Sequence, residues 1–550
     1  MTVEAWIADD PDEGDRAELR ALLAASASEP AAAAELADRF AGRLTFGTAG
    51  LRGVVAAGPN RMNTAVVRAA TAAVAGWLGP GTSVVVGCDA RHRSAEFAEE
   101  TVRVLAGAGL TVHVLPLPCP TPLLAFAVRQ LRTDAGVMIT ASHNPAADNG
   151  YKLYVSDGAQ VIPPADREIE ARIAALGPLS LVPVAAADSP LIARHGDEVA
   201  AAYLSAIVAG HPAEPPLRVV YTPMHGVAGS LMLRALAAAG YPAPDVVAEQ
   251  AAPDPDFPTV AFPNPEEPGA LDHAFALASR VSADLIIASD PDGDRLAVAV
   301  PDGSGSFTRL SGDQVGALLG SAVLSWTSGL GRLVAASIVS SSLLSRIAAS
   351  AGALYAETLT GFKWVARAAD HVAGARFVFG YEEALGYCVG DVVRDKDGIG
   401  AGLALLRLAT SAAARGETLL SRYDALETAH GVHLTHQVTL RTHDQEAVMR
   451  QVRSAPPALL GGSAVTSVVD LTDGAPPSAL APDGLPPADV LVFRLSGARV
   501  ILRPSGTEPK IKCYIEIVEP VSGRSLSDAR SAASARLAPL VADLDRLLSA

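Results

Sequence analysis

The sequence predicts an α/β protein of several domains that ends in a smaller antiparallel α+β domain, and three observations support this fold class. The 550 residues exceed what one hydrophobic core of ordinary size organises, so we expect three or four domains of about 100–200 residues. Short apolar β-type runs alternate with Ala- and Leu-rich helical patterns through most of the chain, which indicates α/β units with largely buried sheets. After about residue 435, apolar and polar residues alternate between Gly- and Pro-rich loops, a pattern typical of an antiparallel sheet.

Each predicted strand is a short apolar run bounded by turn residues or by a helical pattern. In the α/β part these runs lie at 82–87, 111–115, 135–139, 218–221, 284–288, 333–336 and 376–379. Helices rich in Ala and Leu, which are strong helix formers, are predicted at 95–108 and 230–239. The C-terminal part contains alternating strands at 490–495 and 510–518 and an amphipathic helix at 525–548. The Pro-rich segment 211–216 and the stretch 327–332 are predicted to separate α/β blocks.

Charge and cysteine usage exclude several classes of partner. The 43 basic and 59 acidic residues leave a formal charge of −16, which disfavours nucleic acid or an anionic membrane as a partner. The four cysteines are scattered without a Cys-x-x-Cys pair, and the N-terminus lacks the pattern of a secretory signal. Gly, Ser, Thr or Gln interrupt the uncharged stretches, which favours buried core over a membrane span. We therefore expect a cytoplasmic protein, and the sequence specifies no oligomeric state.

Lysine is rare in this chain. Only five of the 43 basic residues are lysines, and the other 38 are arginines. A lysine that remains is a candidate for work that a guanidinium does poorly, such as losing its proton or binding phosphate as a compact charge. The five are Lys152, Lys363, Lys396, Lys510 and Lys512.

Three carboxylates follow one of the predicted strands, in residues 290–295 with the sequence Asp-Pro-Asp-Gly-Asp-Arg. Hard oxygen ligands at alternate positions suit Mg²⁺. An EF-hand loop is rejected, because Arg295 and Pro301 stand where it needs Gly and Glu. A haloacid-dehalogenase-like phosphatase loop is an alternative, although Asp294 stands where such loops usually carry Thr or Val. A solvated Asp/Gly turn is the other alternative, and the preceding strand and Arg295 disfavour it.

A serine follows another buried run, in residues 140–145 with the sequence Thr-Ala-Ser-His-Asn-Pro. Ser142, on a loop just past a strand and beside His143, suits a nucleophile or a phosphoryl carrier. A turn that merely caps the next element explains the same six residues equally well. Lys152 lies a few residues further on, where a nearby cation could lower its pKa and make it a general acid/base.

Three more segments could bind an anion or a ligand with hydroxyl groups. Residues 503–510, Arg-Pro-Ser-Gly-Thr-Glu-Pro-Lys, combine cations, hydroxyls and a glycine amide as a phosphate cradle would, although a surface turn is an alternative. Glu382 and Glu383 follow a predicted strand and could accept hydrogen bonds from vicinal hydroxyls, or could be two surface carboxylates at a helix start. The Gly-rich segment 45–53 holds Arg52 and could meet an anion or be a flexible loop.

Together and in this order, the five motifs resemble those of the α-D-phosphohexomutase superfamily, and the resemblance covers residues from about 45 to 516. The sequences Gly-Tyr-Glu-Glu-Ala at 380–384 and Ser-Gly-Thr-Glu-Pro-Lys-Ile-Lys at 505–512 are most similar to the phosphoglucomutase branch, whose animal members include phosphopentomutases. Ala384 stands where the bacterial phosphomannomutase branch usually has Ser. This departure leaves the choice of sugar open and does not affect the reaction.

The resemblance implies three α/β domains with mixed sheets and a smaller C-terminal α+β domain around a central cleft, each contributing one loop. The expected domains are 1–210 with the phosphoserine loop, 211–328 with the metal loop, 329–434 with the sugar loop, and 435–550 with the phosphate loop.

The resemblance also implies the activity and the residues that perform it. It implies a mutase that interconverts sugar 1-phosphate and 6-phosphate, preferably of glucose, through a phosphoserine and a bisphosphorylated sugar that also serves as activator. The implied catalytic residues are Ser142, Lys152 as general acid/base, and His143 and Arg52 around the phosphate. One Mg²⁺ per chain is implied, with the ligands Ser142 (through its phosphate), Asp290, Asp292 and Asp294. The implied substrate-binding residues are Arg295, Lys363, Glu382, Glu383, Arg503, Ser505, Gly506, Thr507 and Lys510. Lys396 is expected near the substrate side of the third domain.

Other functions on the same residues remain as alternatives. Mannose and pentose phosphates are alternative substrates, because pocket geometry discriminates sugars that differ by one hydroxyl or methylene. A phosphatase using the Asp290 loop predicts release of inorganic phosphate and no need for a bisphosphate activator. A phosphosugar-binding protein without activity predicts that Ser142 is unphosphorylated.

Overall fold

The computed structural model describes residues 2–47, 50–208, 217–442, 444–478, 480–482, 484–505 and 510–549. The chain forms two compact units, Met1–Arg309 with Val392–Leu403, and Leu310–Asp391 with Ala404–Ala550. The predicted linker at 211–216 lies outside the described residues.

The first sheet belongs to the first unit and is mixed. Its strands are β1 (Leu51–Val54), β2 (Ser83–Cys88), β3 (Thr111–Val114), β4 (Ala135–Ile139), β5 (Asp148–Val155) and β6 (Ile192–Arg194). The helices in this part of the chain are α1 (Val3–Asp9), α2 (Glu13–Ser26), α3 (Pro30–Arg39), α4 (Thr64–Leu78), α5 (Ser94–Gly107), α6 (Thr121–Gln130), α7 (Ala165–Ala175) and α8 (Glu198–Val208). The strand order is β1-β5-β4-β2-β3-β6, with β4, β2, β3 and β6 parallel and β5 antiparallel to both neighbours. The strands predicted at 82–87, 111–115 and 135–139 are confirmed to within one residue at each end.

The second sheet, also in the first unit, is mixed too. Its strands are β7 (Val219–Thr222), β8 (Asp245–Val246), β9 (Leu285–Ser289), β10 (Leu296–Pro301) and β11 (Phe307–Arg309), and its helices are α9 (Gly229–Ala238) and α10 (Asp272–Val281). The order is β11-β10-β9-β7-β8, with β9, β7 and β8 parallel and β10 antiparallel to β9. Every residue of β9 is buried, as its unbroken apolar run predicts.

The third sheet belongs to the second unit. Its elements are α11 (Gly312–Trp326), β12 (Arg332–Ser337), α12 (Leu343–Ser350), β13 (Leu354–Thr358), α13 (Phe362–Val365), β14 (Arg376–Glu382) and β15 (Gly386–Val389). The order β13-β12-β14-β15 is parallel except for β15, which runs antiparallel to β14. Helix α14 (Gly398–Ala413) follows, and its first residues group with the first unit.

The C-terminal sheet is entirely antiparallel, as its alternating pattern predicts. Helices α15 (Leu419–His430), α16 (Gln445–Ser454) and α17 (Leu526–Ser549) accompany strands β16 (Val432–Arg441), β17 (Leu459–Leu460), β18 (Ser463–Asp470), β19 (Leu491–Leu495), β20 (Ala498–Pro504) and β21 (Lys510–Glu519). The order is β16-β21-β20-β19-β18-β17. Helix α17 packs its apolar face on this sheet through Leu540 and Leu544. Of the helices in the described ranges, none combines the length and the apolar character that crossing a bilayer takes.

The three mixed sheets repeat one arrangement that positions the predicted site residues. In each sheet a buried parallel strand ends in a tight loop and returns as an antiparallel strand: β4 to β5, β9 to β10, and β14 to β15. These loops carry the predicted phosphoserine, metal and sugar motifs. The fold class predicted from the sequence, three α/β domains with mixed sheets and a smaller α+β domain, is therefore confirmed, whereas the domain boundaries stay predictions.

Candidate active site

Ser142 lies in a strained, buried loop after β4. It is 2 % exposed and adopts φ +53°, a left-handed conformation that costs an ordinary residue about 1–2 kcal/mol. Its backbone N–H donates to Thr140 Oγ1 over 2.9 Å. Its hydroxyl donates to Asp290 Oδ2 over 2.8 Å, and Oγ lies 3.2 Å from His143 Nδ1. The first unit therefore brings together the predicted phosphoserine loop and the predicted metal loop.

His143 and Arg52 flank the Ser142 hydroxyl. Burial lowers the pKa of His143 well below its usual value, and the guanidinium groups of Arg295 and Arg52 lower it further, so the imidazole is neutral at pH 7. Arg52, on β1, donates through Nη1 to Asn144 Oδ1 over 3.2 Å. Its Nε is buried and makes no hydrogen bond to the described residues. Arg52 thus holds the loop with one nitrogen and keeps another donor for an anion.

Three carboxylates converge at the end of β9. Asp290, Asp292 and Asp294 are at most 1 % exposed, and one oxygen from each lies within 4.8 Å of the other two. Asp292 Oδ1 and Asp294 Oδ1 are buried and accept no hydrogen bond from the part of the chain that the structure describes. Burial and the two neighbouring carboxylates raise the pKa of Asp290 well above its usual value. Orphaned carboxylate oxygens at this spacing fit a hard divalent cation.

Two lysines contact the same carboxylates. Lys152 Nζ, on β5, lies 2.6 Å from Asp292 Oδ2 and 3.2 Å from Asp294 Oδ2. Burial disfavours its charge, but these two carboxylates outweigh burial and raise the pKa of Lys152. The nearby cations Lys396 and Arg52 do act to lower this pKa, as the sequence predicts, but the two carboxylates outweigh them and the net shift is upward. Lys396 Nζ lies 3.0 Å from Asp294 Oδ2, and its segment, Val392–Leu403, groups with the first unit.

The Arg295 guanidinium faces the same carboxylates, but at distances too long for a close ion pair. Its Nε lies 4.0 Å from Asp290 Oδ2 and 3.9 Å from Asp294 Oδ1, and its Nη1 lies 3.7 Å from Glu266 Oε2. Nε is buried and forms no hydrogen bond within the described ranges. Such a guanidinium is placed to neutralise charge on a group that binds among these side chains.

Four residues of this cluster were missed by sequence reasoning. Thr121 donates from Oγ1 to Asp292 Oδ2 over 2.6 Å and from its backbone N–H to the Asp292 carbonyl over 2.9 Å. Glu266 faces Arg295, and Asp89 and Arg91 contact the Ser142 loop. Asp89 and Arg91 carry a usable signal, since they follow the buried strand β2 as Ser142 follows β4.

The predicted sugar-binding carboxylates lie in the second unit, between β14 and β15. Glu382 Oε1 accepts from the backbone N–H of Gly361 over 2.7 Å. Glu383 Oε2 accepts from the Ser337 and Ser340 hydroxyls, both at 3.3 Å. Burial, Glu382 and then Asp313 raise the pKa of Glu383 to about 7. These are anchored carboxylates at a strand end and not solvated side chains on a helix.

The predicted phosphate-binding residues of the second unit are described in part. Arg503 is the penultimate residue of β20 and pairs with Lys512 on β21, and the Ser505 N–H donates to the Lys510 carbonyl over 2.8 Å. Gly506 and Thr507 lie outside the described residues. Burial raises the pKa of Tyr514 on β21, and the charges of Glu383, Arg503 and Glu382 act on it. The sugar and phosphate motifs are therefore neighbours in this unit.

Lys363 belongs to the second unit as well. It lies on α13, the helix that begins beside Gly361, and is 7 % exposed. The structure thus gathers the predicted site residues into two groups, one per unit. The first holds Ser142, His143, Lys152, Arg52, Asp290, Asp292, Asp294 and Arg295, and the second holds Lys363, Glu382, Glu383, Arg503, Ser505 and Lys510. Their roles stay predictions.

Family models match this chain in four consecutive segments. They are the α/β/α domains I, II and III of phosphoglucomutase/phosphomannomutase at residues 43–178, 201–303 and 311–428, and the C-terminal domain at 461–530.

Relatives along most of the chain agree with this match. A Haemophilus influenzae protein named "Probable phosphomannomutase" is 42 % identical over 79 % of this chain and 88 % of its own length. A human phosphopentomutase is 35 % identical over 88 % of this chain and 87 % of its own. The crystal structure of parafusin, a Paramecium phosphoglucomutase, shares the fold with a TM-score of 0.70 at 20 % identity, covering 92 % of this chain and 97 % of that one. The chain belongs to the phosphoglucomutase/phosphomannomutase family.

Proposed function

We propose that this phosphosugar mutase interconverts glucose 1-phosphate and glucose 6-phosphate by relaying a phosphoryl group through Ser142. The observation that carries the proposal is the setting of the Ser142 hydroxyl, 2.8 Å from Asp290 and 3.2 Å from a neutral His143. A serine held among carboxylates that fit a cation, with guanidinium groups close by, suits a phosphoryl carrier.

Phosphoryl transfer asks mainly for positioning and for stabilisation of charge. Arg52 and Arg295 each keep a buried Nε without a hydrogen bond to the described residues, and these donors suit the oxygens of a phosphoryl group on Ser142. His143, kept neutral by burial and by the two guanidiniums, can hydrogen-bond Oγ without adding a charge.

One Mg²⁺ per chain is proposed at the three aspartates. Asp290, Asp292 and Asp294 would hold it together with an oxygen of the Ser142 phosphate, because two of the carboxylates present unused oxygens. The bound ion supplies Lewis-acid polarisation and charge neutralisation of the phosphoryl group.

Lys152 is proposed as the general acid/base. In each transfer one proton leaves the attacking hydroxyl and one reaches the oxygen that loses the phosphoryl group, so no net proton is consumed. The Lys152 ammonium, held 2.6 Å from Asp292 Oδ2, is suited to donate a proton to Ser142 Oγ. Lys152 would then take up the proton that the attacking sugar hydroxyl releases, so that it ends the first transfer as an ammonium, and in the second transfer it would take the Ser142 proton and give one to the sugar oxygen that loses its phosphoryl group.

The sugar and its resident phosphate are proposed to bind the residues of the second unit. Glu382 and Glu383 would accept hydrogen bonds from sugar hydroxyls, and Lys363 would contact the substrate. The phosphate would bind Arg503, Ser505, Gly506, Thr507 and Lys510. Transfer from Ser142 yields a bisphosphorylated glucose, which turns over and returns its other phosphoryl group to the serine. The same bisphosphate, when it is added to the solution, would phosphorylate enzyme whose Ser142 carries no phosphoryl group, and it would therefore act as an activator.

Pentose and mannose phosphates are the competing substrates, because the relatives of this chain include a phosphopentomutase and a protein named "Probable phosphomannomutase". We propose the cytoplasm as the location, which suits four buried free cysteines.

Turnover of the three sugar phosphates side by side tests the proposal. Wild type, Ser142→Ala and the exposed-serine control Ser180→Ala would be assayed with catalytic bisphosphate. We expect the highest kcat/KM with glucose 1-phosphate, full activity in Ser180→Ala and none in Ser142→Ala. Preference for a pentose phosphate would contradict the choice of sugar, and activity in Ser142→Ala would contradict the mechanism.

A further inference from the structure

Arg91 is a buried arginine that none of the roles above uses. It follows β2 on the turn that begins at Asp89, and its side chain is 1 % exposed. Its guanidinium donates hydrogen bonds to backbone carbonyls of one loop. Nη2 donates to Ser142 O over 2.6 Å and to Asn144 O over 2.5 Å, and Nη1 donates to Pro145 O over 2.7 Å and to Asp148 O over 3.1 Å.

Asp89 holds the backbone N–H of Ser142 in place through Thr140. Its Oδ2 accepts from the Thr140 hydroxyl over 2.6 Å, and Thr140 Oγ1 in turn accepts from the Ser142 N–H over 2.9 Å. Its Oδ1 accepts from the Arg91 N–H over 3.0 Å, and the Arg91 Nε lies 3.4 Å from Oδ2. The peptide groups on both sides of Ser142 are therefore tied to one ion pair, the N–H through Thr140 and the carbonyl through Arg91.

The loop needs such support because its conformation is costly. Ser142 has φ +53°, and a strained residue of this kind persists only where its surroundings over-determine it. A carbonyl withdrawn from water needs a donor, and Arg91 donates to four carbonyls of this loop, of which the bond to Ser142 O is buried and the other three are partly buried. The Phe257 ring, 5.0 Å from the guanidinium carbon, covers this donor group on another side.

We infer that Arg91, anchored by Asp89, is the positioning residue of the phosphoserine loop: it holds Ser142 in the conformation that aims Oγ at the aspartates. This inference rests on the proposed relay through Ser142. Arg91 contacts backbone carbonyls of the loop and is therefore a positioning residue and not a catalytic one. A planar fork of donors suits several carbonyls at fixed angles, and a lysine ammonium cannot reproduce that fork.

Steady-state kinetics of Arg91→Lys separates positioning from substrate binding. We expect kcat to fall by about 10²-fold, the effect of misplacing a reacting group by about 1 Å, with KM for glucose 1-phosphate nearly unchanged. Arg68→Lys is the matched control. Arg68 is a partly buried arginine on α4 that pairs with Glu100 and, among the described residues, has no hydrogen bond or ion pair to the Ser142 loop. Its variant should keep the wild-type kcat.

Chemical rescue distinguishes positioning from a loss of folding. Arg91→Ala leaves space for a guanidinium ion, so millimolar guanidinium chloride should restore kcat saturably, whereas sodium chloride and urea should not. A protein that is merely less stable would lose further activity in guanidinium. Arg68→Ala should show no rescue.

The inference is overturned if Arg91→Lys turns over like wild type, if KM alone changes, or if guanidinium fails to rescue Arg91→Ala that is folded by circular dichroism. Ser142→Ala, measured in the same assay, separates this result from the function itself. Activity in Ser142→Ala refutes the relay, whereas an inactive Ser142→Ala beside a fully active Arg91→Lys refutes only the role of Arg91.

Discussion

Replacing Glu383 with glutamine is expected to stabilise the protein at alkaline pH and to leave its stability at acid pH unchanged. Burial, Glu382 and Asp313 raise the pKa of Glu383 to about 7 from 4.5. Its Oε2 accepts from the hydroxyls of Ser337 and Ser340, and the amide oxygen of glutamine can accept the same bonds. The substitution therefore removes an ionisation and keeps the contacts.

The direction of the change in stability with pH follows from the number of protons that the folded and unfolded states bind. Between pH 4.5 and about pH 7 the unfolded chain releases this proton while the folded protein keeps it. The contribution of Glu383 to stability is therefore fully present below pH 4.5 and is lost as pH rises through about 7. A shift of this size corresponds to about 3 kcal/mol as an upper limit.

Thermal denaturation across this range measures the effect. The Tm of Glu383→Gln minus that of wild type should be near zero at low pH and should rise to a positive plateau above about pH 7. Glu446→Gln is the control, because Glu446 is an exposed glutamate of the same unit, 86 % exposed, and its difference from wild type should stay flat. A Glu383→Gln difference that does not change with pH, or that becomes negative at high pH, would refute the reasoning.

Three further substitutions test the site. Asp292→Asn should abolish the stabilisation that Mg²⁺ gives the wild type, about 3 kcal/mol at a hundredfold excess over Kd and measured as a rise in Tm; an undiminished rise would argue against the aspartate site. Gly312→Ala puts a Cβ 1.7 Å from the Glu383 carbonyl oxygen, so the sugar loop must shift and KM for glucose 1-phosphate should increase; an unchanged KM would contradict this. Thr121→Val removes one of the two donors that Asp292 Oδ2 has at 2.6 Å, the other being Lys152 Nζ, and should cost about 1.5–3 kcal/mol in urea unfolding, the contribution of a hydrogen bond to a charged group; a neutral effect would show that the bond is dispensable.

Local patterns made much of this fold predictable. Buried parallel strands are unbroken apolar runs, so β2, β4, β7 and β9 were predicted to within one residue at each end. Polar residues directly after such a run lie at the carboxyl end of the strand, which is why the Ser142 and Asp290 loops could be found.

Other parts of the site depend on contacts that no local pattern records. Strand β5 mixes polar residues into its run, and it brings Lys152 to Asp292 and Asp294, so the proximity of carboxylates that raise the pKa of this lysine could not be foreseen. Lys396 lies far along the chain, in a segment that packs with the first unit. Arg91 follows a predicted strand, but its role is visible only where the Ser142 loop folds over it.

Transfer of a labelled phosphoryl group from Ser142 tests the central claim most directly. Enzyme carrying ³²P on Ser142, verified by peptide mapping, would be mixed with unlabelled glucose 1-phosphate in a single turnover. The relay predicts that label leaves Ser142 and appears at the 6-position of glucose bisphosphate and then of glucose 6-phosphate, with no burst of inorganic phosphate. Label that stays on the protein while glucose 6-phosphate forms, or that is released only as inorganic phosphate, would contradict it.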